Sequence, residues 1–171
     1  MDSDTYAERD GSAVLAAVRT VLDSTDLHES KIARLAGVIR RAGAYHWVGL
    51  YEVRANGIGI LGWSGPGVPS YPRFAVGQGL CGAAVAGGTT VIAGDVRADR
   101  RPLPTLSSTQ AEMVVPIWEV AGAVVGLIDV ESERLDAFTD ADRLLLERCA
   151  VVMADLWTTP VSSEEAQFSG E

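Results

Sequence analysis

The alternation of apolar and polar positions divides the chain into helices first, then strands, then a closing helix. Val14, Leu15, Val18, Val21 and Leu22 recur at helical spacing, and so do Ile32, Leu35, Ala36 and Ile39. Asp26 to Glu29 read as the break between two amphipathic helices, forming either an antiparallel pair or one bent rod. Trp47 to Val53 is apolar on both faces, with Val48 and Leu50 on one and Trp47 and Tyr51 on the other, as a central strand requires. Ala55-Asn56-Gly57 is a tight-turn signal, making Ile58 to Trp63 the hairpin partner. Residues 65–72 are dense in Gly and Pro and predict a loop, followed by a short strand over Arg73 to Val76.

Gly77-Gln78-Gly79-Leu80-Cys81-Gly82 leads into a small-residue helix that Gly87-Gly88 would close. A short strand is expected over Thr90 to Ala93, and a polar loop over Asp95 to Leu106. Strands over Met113 to Trp118 and Ala123 to Val130 are joined by residues 119–122. Thr139 and Asp142 form a capping-box signal for the last helix, in which Ala141, Leu144, Leu145, Cys149, Val152 and Leu156 would share one face. Hairpins rather than crossover helices join most strands, so an α+β domain with an antiparallel sheet is predicted over 11–157. Residues 1–10 and 158–171 read as acidic, disordered tails.

Composition narrows the function classes. Hydrophobic residues make up 47% and charged residues 22% of the 171, the profile of one globular domain. The net charge of −9 resides largely in the two ends, which solvate the protein rather than define a partner. Nucleic acid is not expected, because no Lys/Arg stripe exists and Asp95 and Asp99 offset the Arg97, Arg100, Arg101 cluster. No apolar run reaches membrane-spanning length, and no secretory leader pattern opens the chain, so a cytoplasmic location is expected. Two cysteines, Cys81 and Cys149, and two histidines, His28 and His46, give neither a disulfide framework nor metal-ligand spacing. No cofactor is indicated.

From Trp47 to about Leu156 these motifs resemble the GAF domain family. The segment Gly77 to Gly82 looks like its turn into the ligand-side helix. Gly126-Leu127-Ile128-Asp129-Val130-Glu131-Ser132, followed by Phe138-Thr139-Asp140-Ala141-Asp142, looks like its last strand and closing helix. Within the family, the chain is most similar to the free methionine-(R)-sulfoxide reductases. The resemblance implies a sheet of about six antiparallel strands with helices on one face, a small ligand cavity on the other, and a homodimer.

The chemistry of those reductases needs two thiols at one pocket, one to attack sulfur and one to resolve the sulfenic acid. Where the resemblance places their other two cysteines, ten residues before Cys81 and seven before Glu112, this chain carries Tyr71 and Thr105. A threonine hydroxyl is a far poorer nucleophile than a thiolate and forms no disulfide. Cys149 sits on the apolar face of the last helix and reads as a small hydrophobe. Cys81 has two readings. At a helix N-terminus the dipole lowers a thiol pKa, so it could act alone with an external thiol; equally, it is a small residue packed where the helix meets the sheet.

The binding site implied by the resemblance is retained. Glu112 opens a strand, and alternation puts Asp129 and Glu131 on one face of the next. In the related reductases carboxylates at these positions hold the substrate's ammonium group. The alternative is that these acids face solvent or pair with a loop arginine such as Arg100. Trp63 and Tyr71 border the predicted pocket, either packing on a ligand or as ordinary rim. Three functions follow: a non-catalytic binding or sensor protein for an amine or amino acid, a reductase using Cys81 alone, or an interaction module with a vestigial cavity.

Overall fold

The computed structural model describes residues 11–101 and 106–158. Thr105 and the two tails lie outside these residues, except Thr158, which ends the last short helix. The two opening helices, α1 (Gly11–Leu22) and α2 (His28–Gly43), are separate and packed on each other rather than one rod. His28 and Glu29, expected in the break, belong to the first turn of α2. Six strands follow: β1 (Trp47–Arg54), β2 (Gly57–Ser64), β3 (Arg73–Phe74), β4 (Val91–Ala93), β5 (Ala111–Trp118) and β6 (Val124–Ser132). Helix α3 (Gly79–Gly87) lies between β3 and β4, and α4 (Asp140–Met153) and α5 (Asp155–Thr158) close the chain.

Every strand pairing is antiparallel, in the order β3-β2-β1-β6-β5-β4. β3 ends two residues before the expected Val76. There the Ala75 N–H donates to Gln78 Oε1 at 3.2 Å and the Gln78 N–H returns to Ala75 O at 3.0 Å, which turns the chain out of the sheet.

Alternation along the central strands divides the interior in two. Val48, Leu50, Met113, Val115, Ile117, Ile128 and Val130 face α1, α2 and α4 and form the main core with Leu15, Val18, Ile32, Leu35 and Ile39. Trp47, Tyr51, Val114 and Leu127 point to the other face, where α3 packs through Leu80, Cys81 and Ala84.

The capping box of α4 is present: Thr139 accepts from the Asp142 N–H, and the Asp142 side chain accepts from the Thr139 N–H. The buried face of α4 differs from the expected one. Leu145, Leu146, Cys149, Ala150 and Met153 are buried, whereas Leu144 is 52% exposed. The helix is rolled about its axis relative to the expected stripe, so that Leu145 and Leu146 face inward and Leu144 outward. At the end of the chain, Trp157 crosses Gly126 and its indole N–H donates to Tyr51 O at 2.9 Å. A Cβ at Gly126 would lie 2.3 Å from that nitrogen, so the missing side chain is what lets α5 reach the sheet.

Candidate functional site

The three acids of β5 and β6 lie on the α3 face of the sheet. Glu112 pairs with Glu131 across the β5–β6 ladder, and Val114 pairs with Asp129. All three are buried: Glu112 and Asp129 are 2% exposed and Glu131 is 0%. None is a solvent-facing strand end, and Arg100 does not cover them, being exposed in its loop. Cys81, on the first turn of α3, lies over the same spot. Its Sγ and a carboxylate oxygen from each of Glu112 and Asp129 lie within 4.8 Å of one another. These three groups come from three different elements, so no spacing motif in the sequence announces them.

Glu131 is tied into the structure. It accepts a hydrogen bond from the hydroxyl of buried Thr109 and a longer one from the Leu106 N–H at 3.4 Å, which anchors the loop before β5. Glu112 Oε2 and Asp129 Oδ1 have no hydrogen-bond partner, and neither does the buried indole nitrogen of Trp47. Trp47 stands opposite Glu131, and Gly49 opposite Asp129, in the β1–β6 register. Gly49 leaves space here: a Cβ would sit 2.3 Å from the Trp47 ring and 2.8 Å from that of Tyr51. Buried polar atoms are almost always paired, so three orphans on one sheet face mark a place built for something other than core packing.

Among the described residues no Lys, Arg or His is buried, so the three acids have no protein counter-charge in the interior. Burial pushes the Glu112 carboxyl well above its usual value, and the charge of Glu131 pushes it further. Asp129 is likewise raised, by burial first and then by Glu112 and Glu131. Without a bound cation these groups retain protons to avoid holding adjacent charges in a dry interior.

The same environment settles the direction for Cys81. Burial raises its thiol well above the ordinary value, and the charges of Asp129, Glu112 and Glu131 add to that. The expected lowering by the helix N-terminus is overridden, because burial of the thiol, first of all, and the acids beside it outweigh one partial helix charge. Cys149 lies in the main core on the opposite face of the sheet, with its thiol pushed up to about 11 by burial. The two free thiols cannot meet without unfolding. Both are therefore expected to react with iodoacetamide roughly a hundredfold more slowly in the folded protein than in denaturant. Mass spectrometry of quenched samples reads this directly, and fast labelling of Cys81 in the native protein would contradict it.

The aromatic residues divide differently from expectation. Trp63 pairs with Gly49 at the outer side of the site face and is 38% exposed, a rim position. Tyr71 lies in the loop before β3, 47% exposed. The aromatic groups that face the acids from β1 are Trp47 and Tyr51, which sequence reasoning put on one face of a central strand without linking them to the site. Alternation had put them on the correct face. The missing information was the β1–β6 register, which sets Trp47 beside Glu131.

A six-stranded antiparallel sheet with helices α1, α2, α4 and the short α5 on one face, and α3 covering an acid-lined patch on the other, defines a small α+β protein class. Residues 30–157 match the GAF domain family model, and the chain belongs to that family. A free methionine-R-sulfoxide reductase from Neisseria meningitidis, solved with its substrate, is 31% identical with a TM-score of 0.77. The alignment covers 86% of this chain and 88% of that one. A type II free methionine-R-sulfoxide reductase from Thermoplasma acidophilum is 28% identical with a TM-score of 0.72, covering 75% and 91%. In Saccharomyces cerevisiae, a free methionine-R-sulfoxide reductase is 30% identical over 107 residues, 61% of this chain and 59% of that protein. The chain is thus a GAF domain related to these reductases. Among the described residues, no helix is long and apolar enough to cross a membrane.

Proposed function

We propose that this protein binds a small amine or free amino acid on the α3 face of its sheet and does not turn it over by thiol chemistry. The observation that carries this reading is the set of three buried carboxylates with no buried basic residue among the described residues. An ammonium group is the ligand chemistry that answers it. It donates up to three hydrogen bonds and brings the missing charge, and the free acceptor oxygens on Glu112 and Asp129 are there to take them. The unpartnered Trp47 N–H offers a donor for an acceptor elsewhere on the ligand. Relatives that act on free methionine sulfoxide make amino acids of that size the first compounds to test.

Binding without turnover follows from the thiols. Reduction of a sulfoxide moves two electrons from two thiols, leaving a disulfide and water. Cys81 is the single thiol on the site face, and its raised pKa leaves little thiolate to attack sulfur. Thr105, where the resemblance would place an attacking cysteine, supplies a hydroxyl that closes no disulfide. The binding role also extends to sensing, in a cytoplasmic homodimer.

Two assays separate this from the one-cysteine reductase. Free methionine (R)-sulfoxide with dithiothreitol as external reductant should show no turnover above the protein-free rate. An amino-acid panel in thermal shift should contain at least one compound that stabilises by about 2.7 kcal/mol at 100 times its dissociation constant. Turnover abolished by Cys81→Ser would overturn the reading in favour of the enzyme. No shift with any member of the panel would favour an interaction module.

A further inference from the structure

The Cys81–Glu112–Asp129 cluster offers a thiol sulfur and two carboxylate oxygens, all within 4.8 Å of one another. The donors stand on the first turn of α3, on β5 and on β6, so they are held by the scaffold rather than by loops. Tetrahedral zinc with one sulfur and two oxygen ligands has donor separations of roughly 3.3–3.8 Å, from bonds of about 2.3 Å to sulfur and about 2.0–2.2 Å to oxygen. The cluster therefore needs to close by about 1.5 Å at most, within the reach of small side-chain rotations. Glu112 Oε2 and Asp129 Oδ1 are buried and have no partner, so no existing hydrogen bond opposes that closure.

We infer that Cys81, Glu112 and Asp129 form a binding site for zinc or a similar thiophilic dication, with one coordination position left open. The mixed donor set decides the class of ion. Calcium and magnesium take six or more oxygens and have no use for a thiolate, whereas zinc accepts sulfur and carboxylate oxygen together in low coordination number. Charge points the same way. Two carboxyls and a thiol that give up their protons on ligation, with no buried basic residue among the described residues, are compensated better by a dication than by any single ammonium. Glu131, held by Thr109 and Leu106, stands beside the three as a neighbouring acid rather than a ligand. The inference does not rest on the amine reading. The two occupants would compete for Glu112 and Asp129, so zinc would antagonise the amine.

The test uses the full chain, reduced and stripped with a chelator, and titrated with cobalt(II) as a spectroscopic substitute and with zinc chloride. One equivalent of cobalt should produce a thiolate-to-metal charge-transfer band in the near ultraviolet, and zinc should bleach it. Cys81→Ser should abolish the band and weaken zinc at least about tenfold, Glu112→Gln should weaken zinc by a similar factor, and Cys149→Ser should leave the band intact. Absence of a charge-transfer band in the wild-type protein would overturn the inference, as would a band that survives Cys81→Ser. The wild-type spectrum decides the matter even if a variant folds poorly. Loss of the metal with a positive amino-acid thermal shift removes this inference alone; the reverse removes the amine reading alone.

Discussion

Gly82→Ala is expected to destabilise the protein by about 3 kcal/mol, lowering its melting temperature by roughly 6–12 °C. A Cβ at Gly82 would lie 2.5 Å from the carbonyl carbon of Gly77 and 2.7 Å from Val76 O. These are backbone atoms, so no rotamer change relieves the clash. Helix α3 would have to lift from the turn that starts it and carry Cys81 away from Glu112 and Asp129. The other glycines of the same motif make internal controls. Gly79, at φ 66°, should lose about 1–2 kcal/mol on replacement by alanine, because a side chain is strained in the left-handed region. Gly77 has nothing within 4 Å of its virtual Cβ and should change stability by less than about 0.5 kcal/mol. Thermal denaturation of the three variants should rank them in that order. Equal effects would mean that the close approach of α3 to residues 76–77 is not what the motif protects.

The second large effect concerns the acids. Glu112→Gln and Asp129→Asn should each abolish ligand binding while stabilising the unliganded protein by about 1–3 kcal/mol near neutral pH. The sign follows from the raised pKa values. Above the ordinary values of 4.5 for Glu and 3.8 for Asp, the unfolded chain has released protons that the folded protein still holds. Native Glu112 and Asp129 thus bind more protons than their unfolded counterparts, and stability falls as pH rises through the raised native values. The neutral amides remove that penalty. Their advantage should therefore shrink as pH falls through 4.5 and vanish only well below 3.8, where both carboxyls are neutral in either state. Urea unfolding across this range measures it. An advantage that does not depend on pH would mean that packing, not charge, is responsible.

This pairing of lost binding with gained stability separates a binding site from a structural cluster. Acids kept for stability would destabilise the protein when neutralised. Acids kept for a ligand carry an energetic penalty that only the ligand relieves.

Much of this was legible in the residues themselves. Alternation in Trp47 to Tyr51 assigned both faces of β1 correctly. The Thr139–Asp142 box marked the start of α4, and the spacing of Asp129 and Glu131 put both on one face of β6. What stayed hidden depends on contacts distant in the chain. No period in the sequence says that β1 pairs with β6, and without that register Trp47 reads as core and Trp63 as its rival for the site. The helix dipole argument for Cys81 failed because its burial, and the acids beside it, come from packing against β5 and β6, thirty and more residues away. Likewise, adjacent Leu144, Leu145 and Leu146 permit more than one buried stripe, and the choice between them is made by packing against β5 rather than by helical period.

Calorimetric titration of the reduced protein with free methionine sulfoxide, set beside its N-acetyl counterpart, examines the account most directly. The two compounds share every group except the ammonium. Heat of binding with the free amino acid, none with the acetylated form, and none for either with Glu112→Gln is the predicted result. Equal binding of both compounds, or binding that persists in Glu112→Gln, would contradict the claim that buried carboxylates recognise a cation.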